Sequence, residues 1–129
     1  SLIEVMVVIS IVSLLLSIIL TNMQDSRDQA NNTATIQNYL MGRSQLLANL
    51  APDNDYSNAC DANNFQPYED ASVSLGASNA SCVSNVDGWA AEIQLPSGVG
   101  YYCLNLDGDA RVYANSSNLS PGDFNCDGA

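Results

Sequence analysis

The sequence predicts an α+β protein: a long N-terminal α-helix packed against a small antiparallel β-sheet head with disulfide-stapled loops. Three observations predict it. Residues 1–24 are almost continuously apolar, residues 25–51 turn amphipathic at helical spacing, and the stretch after Gly88 alternates apolar and polar residues between turn signals. The expected division is a helix over 1–51, with a hydrophobic half at 1–24 and an amphipathic half at 25–51, followed by a head over 52–129.

The first element, SLIEVMVVISIVSLLLSIIL, is broken by Glu4 and by Ser10, Ser13 and Ser17. A helix returns serine hydroxyls to its own carbonyls, so these residues do not argue against it. At about 1.5 Å per residue, about twenty residues reach roughly 30 Å, the thickness of a bilayer hydrocarbon core. No Lys or Arg precedes Arg27 and the chain does not open on Met, so a processed end whose basic leader has been removed is expected.

Glu4 is the informative exception. A charge within such a segment costs on the order of 2.5–3.5 kcal/mol at a membrane helix centre, which makes a partner for it the default expectation.

From Thr21 to Leu50, Ile36, Leu40, Leu47 and Leu50, with Tyr39 and Leu46 beside them, recur at spacings of three, four and seven. No proline occurs before Pro52, so one unbroken helix to about Leu50 is expected. Its apolar face requires a cover.

Residues 52–88 are rich in Asn, Asp, Ser and Ala and read as loop, with a short strand near 71–75. Trp89, Ala91, Ile93 and Leu95 then alternate with polar or small residues as a strand. Pro96-Ser97-Gly98 is a turn, 99–106 a second strand, Asp107-Gly108-Asp109 a hairpin turn, and 110–114 a third strand. This meander is the expected cover for the helix.

Charge and cysteine content narrow the function. Three Arg, no Lys, no His and fourteen acids give a net charge of −11, which repels phosphate backbones and argues against nucleic acid as a main partner. Without His or Lys most general-base and Schiff-base chemistry lacks its usual residues, and no nucleophile stands near a base; the chain is expected not to be an enzyme. Cys60, Cys82, Cys103 and Cys126 fit no zinc spacing and point to two disulfides made outside the cytoplasm. Of three possible pairings, Cys60–Cys82 with Cys103–Cys126 is expected because each closes a local loop.

Leu2-Ile3-Glu4-Val5-Met6-Val7-Val8-Ile9, followed by a long helix, a small antiparallel sheet and a C-terminal disulfide loop, resembles a type IV pilin. The resemblance implies processing by a prepilin peptidase, N-methylation of the new first residue, and anchoring in the inner membrane. It further implies assembly with identical subunits, through dedicated pilus machinery, into an extracellular filament on the cell surface for adhesion, motility or uptake. In that family a glutamate near the N-terminus neutralises the terminal amine of a neighbouring subunit; Glu4 matches that position, and Ser1 would carry the amine. Two departures stand out. Family members usually begin with Phe and place the glutamate four residues later, whereas Glu4 lies three after Ser1. The helix-breaking Gly and Pro that many bacterial pilins carry in the apolar segment are also absent. A pseudopilin of a type II-like secretion system, or a minor pilin, is the alternative within the family, and a monomeric signal-anchored binding module the alternative outside it.

Asp123-Phe124-Asn125-Cys126-Asp127-Gly128 matches the opening of a calcium loop, in which alternate oxygen side chains face one point. Asp123, Asn125 and Asp127 are therefore candidate calcium ligands, with Asp107 and Asp109 available to complete a site; a polar, disulfide-tied tail without a cofactor is the simpler reading. Asn-x-Ser/Thr triplets at Asn31, Asn79, Asn115 and Asn118 are expected by chance in a chain so rich in Asn and Ser.

Overall fold

The computed structural model describes residues 1–128, and the chain divides into two compact units, Ser1–Ala30 and Asn31–Ala129. The fold is α+β. Helix α1 spans Leu2–Leu50 without interruption. In the first unit Ser10 Oγ donates to the Met6 carbonyl at 2.8 Å, Ser13 to Ile9 at 2.8 Å, and Ser17 to Ser13 at 3.0 Å, so each hydroxyl is satisfied within the helix. Pro52 enters a single 3-10 turn, Ala51–Asp53, closed by Asn54 in the left-handed conformation.

In the second unit the fully buried residues of α1 are Thr35, Tyr39, Gly42 and Leu46, spaced four, three and four apart. The seam runs through Tyr39 and Leu46, while Ile36, Leu40, Leu47 and Leu50 flank it, half-buried. Gly42 belongs to the seam because other rings need its space.

Helix α2, Gln66–Ser74, replaces the strand expected near 71–75. Alternation of Ala71, Val73 and Leu75 with serines mimics a strand over five residues. Pro67 in the first turn, however, is preset for a helix start, and Tyr68 with Ser72 lies one turn apart, the Ser72 hydroxyl donating to the Tyr68 carbonyl at 2.9 Å. Gly76, at φ 103°, ends the element, and its amide donates to Val73 at 3.0 Å.

The sheet has four strands rather than three: β1 Ser78–Ser84, β2 Trp89–Gln94, β3 Tyr101–Asn105 and β4 Ala110–Tyr113, antiparallel and in the order β1-β2-β3-β4. The segment read as loop up to Gly88 therefore contains a strand. Its Asn-Ala-Ser composition carries little strand propensity, and pairing along β2 supplies what local preference lacks. The second and third expected strands are each shorter than expected at their ends.

Strand alternation sends Trp89, Ala91, Ile93, Tyr102 and Leu104 toward α1, where they form one core with Tyr39, Leu46 and Phe65. The Tyr39 and Phe65 rings meet edge to face at 4.8 Å. The opposite face of the sheet is also buried. Ala90, Glu92, Cys103 and Asn105 lie there with no more than 1% exposure. They are covered by the tail after β4: Ser117 is buried against Glu92, Phe124 stacks against Gly88, and Cys126 is bonded to Cys103. Tail, sheet and helix make three layers.

Candidate assembly surface

The first unit is a helix exposed on every side. From Leu2 to Met23, sixteen large apolar side chains are solvent-exposed in the single chain. At roughly 2 kcal/mol for burial of each such side chain, the total is on the order of 30 kcal/mol, far beyond the net stability of a typical domain. A surface of this kind requires an apolar environment. The helix is long and apolar enough to cross a membrane, and the chain is therefore compatible with membrane anchoring through this segment.

Glu4 lies in the first turn, its side chain 84% exposed, with Oε2 3.5 Å from the Ser1 ammonium. In α1 a carboxylate in the first turn is also favoured by the positive helix N-terminus. At the other end of the apolar stretch Gln24 Nε2 donates to Asp28 Oδ1 at 3.2 Å, and Arg27 is exposed.

The cysteines pair as Cys60–Cys82 and Cys103–Cys126, both with Cα atoms 5.8 Å apart. The first bond joins the 52–65 loop to β1. The second joins β3 to the tail.

Asp123, Asn125 and Asp127 are placed on that tail. Asp123 Oδ1 accepts the Asn125 amide at 3.2 Å, so this carboxylate caps its own turn. Asp109 Oδ2 accepts from Asn105 Nδ2 at 2.9 Å, and its other oxygen is 3.8 Å from Arg111. Among the described residues no group of three or more His, Cys, Asp and Glu side chains is gathered as a cation cage requires.

Two residues that sequence reasoning leaves unremarked organise the outer face of the sheet. Glu92, 1% exposed, accepts the Ser116 hydroxyl at 2.5 Å and the Ser117 amide at 2.7 Å. Asn105, fully buried, donates to Asp109 Oδ2 and to the Phe124 carbonyl, both at 2.9 Å, and accepts the Gly108 and Asp109 amides. All four of its hydrogen-bonding positions are filled. An outward polar residue on an amphipathic strand normally reads as solvated. The signal that could have found both is the Cys103–Cys126 pairing, which brings the tail back over the face they share.

Burial raises the Tyr39 hydroxyl well above its ordinary range, with the charges of Glu69 and Glu92 adding to the effect. Tyr102 is raised by burial and partly offset by Arg43. Surface grooves lined by Gln37, Leu40, Met41, Ser44 and Gln45, and by Ala62, Gln66, Pro67 and Asp70, hold no nucleophile beside a base.

No model of a known protein family, no curated protein and no solved structure matches the chain.

Proposed function

We propose that this chain is a structural subunit that polymerises with identical copies into a type IV pilus filament on the cell surface, after a period anchored in the inner membrane. One observation carries the reading: a helical unit exposed and apolar on all sides from Leu2 to Met23, bearing Glu4 alone as a charge. Packing against lipid satisfies the apolar side chains but leaves Glu4 only the ammonium of its own Ser1, 3.5 Å away. Packing against other copies satisfies the same side chains and brings the cationic N-terminus of a neighbour within reach of Glu4. An unpaired carboxylate in such a bundle is expensive, so the pairing also sets the axial register between copies. The N-terminal resemblance to type IV pilins supports the same reading, as do the disulfides, which suit a head that works outside the cytoplasm.

Sheared surface filaments, identified by mass spectrometry and viewed by electron microscopy, test it. This chain is expected as the main component of long fibres. Its absence from them would overturn the reading, and its presence only in short or sparse fibres would assign it to a pseudopilin or minor pilin instead. Glu4→Gln and Glu4→Ala are expected to insert in the membrane normally and to lose most filament yield. Normal yield from both would remove the role given to Glu4.

A further inference from the structure

We infer that Glu92 is a positioning residue for the Cys103–Cys126 disulfide: its buried carboxylate docks the tail on the outer face of the sheet and thereby presents Cys126 to Cys103.

The geometry begins with the strand register. Glu92 and Cys103 are direct partners across β2 and β3, so their side chains leave the sheet on the same face, side by side. Glu92 holds the Ser116 hydroxyl at 2.5 Å and the Ser117 amide at 2.7 Å. From that anchor the tail turns back along the sheet, and two further bonds bracket Cys126. Asn105 Nδ2 holds the Phe124 carbonyl at 2.9 Å, and the Gly128 amide donates to the Ser117 hydroxyl at 3.0 Å. Ser117, which receives the second bracket through its hydroxyl, is itself held by Glu92 through its amide. Cys126 is thus confined from both sides by bonds that do not involve sulfur.

Such confinement matters because four thiols allow three pairings. The sheet performs half of the sorting. Cys82 is opposite Ala91, on the face toward α1, whereas Cys103 is on the other face. What remains is to bring a free tail to Cys103 against the entropy of closing a loop of sequence separation 23. A tail already docked makes this closure an encounter between neighbouring groups at high effective concentration. In the bond-forming step the Cys103 and Cys126 thiols lose two protons and two electrons. Oxidised glutathione accepts both and leaves as two molecules of reduced glutathione.

The charge of Glu92 fits this role. No ion pair to it occurs among the described residues, so its buried carboxylate depends on the tail's donors. Charge-assisted bonds of this length are among the stronger contacts a tail of polar residues can make.

The test uses the full chain in detergent micelles. With Cys103→Ser and Cys126→Ser together, amide hydrogen exchange over residues 114–128 is expected to stay protected, and adding Glu92→Gln to lower that protection by about tenfold, as the loss of a bond to a charged group implies. In the four-cysteine chain, reduced and then reoxidised with oxidised glutathione, Glu92→Gln is expected to slow closure of Cys103–Cys126 by about tenfold and to leave Cys60–Cys82 within about twofold. Ser116→Ala removes one donor and leaves the carboxylate on the Ser117 amide, so it carries the comparison if Glu92→Gln does not fold. A tail unprotected as soon as the disulfide is removed, or equal closure rates in all three chains, would overturn the inference.

Discussion

A Cβ placed on Gly42 would lie 2.9 Å from Cε2 of Phe65 and 3.0 Å from Cγ of Tyr68. In the middle of a long helix glycine costs up to about 1 kcal/mol relative to alanine, so its presence requires a gain elsewhere. The gain is close approach: Phe65 and the first turn of α2 sit directly on α1, and Phe65 is fully buried against Tyr39 and 5.9 Å from Trp89. The ring cannot retreat without displacing both. Gly42→Ala is therefore expected to destabilise the head by about 1 kcal/mol despite its better helix propensity, and Gly42→Val by about 2–3 kcal/mol through overpacking. Urea denaturation followed by Trp89 fluorescence measures both, and a more stable Gly42→Ala chain would show that the rings yield.

Asn105 fills the space between the β3–β4 turn and the tail with four hydrogen bonds. Asn105→Ala leaves the Phe124 carbonyl and the turn amides without their partner and is expected to cost about 2–3 kcal/mol. Asn105→Asp keeps the acceptor for the Gly108 and Asp109 amides but sets a carboxylate against Asp109 and the Phe124 carbonyl. It is expected to be at least as harmful at neutral pH and to recover in acid. Thermal denaturation of both variants at pH 7 and pH 4 checks the order.

How much of this could be read in advance depends on where each element gets its stability. Helix α1 was legible because period, the absence of proline before Pro52 and apolar content all agree over 49 residues. The Asp107-Gly108-Asp109 turn was legible because its residues are chemically specific to a turn. Strand β1 was not, since Ser78 and Ser81 have no preference that local reasoning could detect, and their partners on β2, Gln94 and Glu92, decide the outcome. Nor was α2, where five residues of alternation outweighed the cue from Pro67. Glu4 stood out because no other charged side chain occurs before Asp25, whereas Glu92 looked ordinary on an alternating strand. Its burial comes from a tail more than twenty residues away.

The Cys60–Cys82 bond spans 22 residues of a head that has a modest core. Chain-entropy reasoning for a loop of this size gives about 3 kcal/mol, a large share of the 5–15 kcal/mol typical of a folded domain. Cys60→Ala with Cys82→Ala is expected to lower stability by about that amount and to leave α1 residues 2–30 helical in micelles. Circular dichroism with urea titration separates the two effects. A loss under about 1 kcal/mol would mean that the 52–65 loop is held chiefly by its own contacts, such as the Phe65 amide on Ala59 and Asn64 Nδ2 on Asn58.

Glu69 and Asp55 should move stability with pH in opposite directions. Burial, with the charge of Asp70 second, holds the Glu69 carboxyl above its ordinary value of 4.5. The folded chain then binds that proton more tightly than the unfolded chain, so this group favours folding most in acid, and its contribution is lost as pH rises from about 4.5 through the folded value. Asp55 is held below its ordinary 3.8 by the Ser57 hydroxyl and amide; its contribution is present above that value and lost as pH falls through the folded one. Glu69→Gln is accordingly expected to raise the urea midpoint at pH 7, with the gain over the parent chain shrinking to nothing by about pH 4. Asp55→Asn is expected to lower the midpoint slightly at pH 7 and to match the parent only in stronger acid. A Glu69→Gln gain that persists unchanged at pH 4 would assign the effect to packing of the amide rather than to the carboxylate's charge.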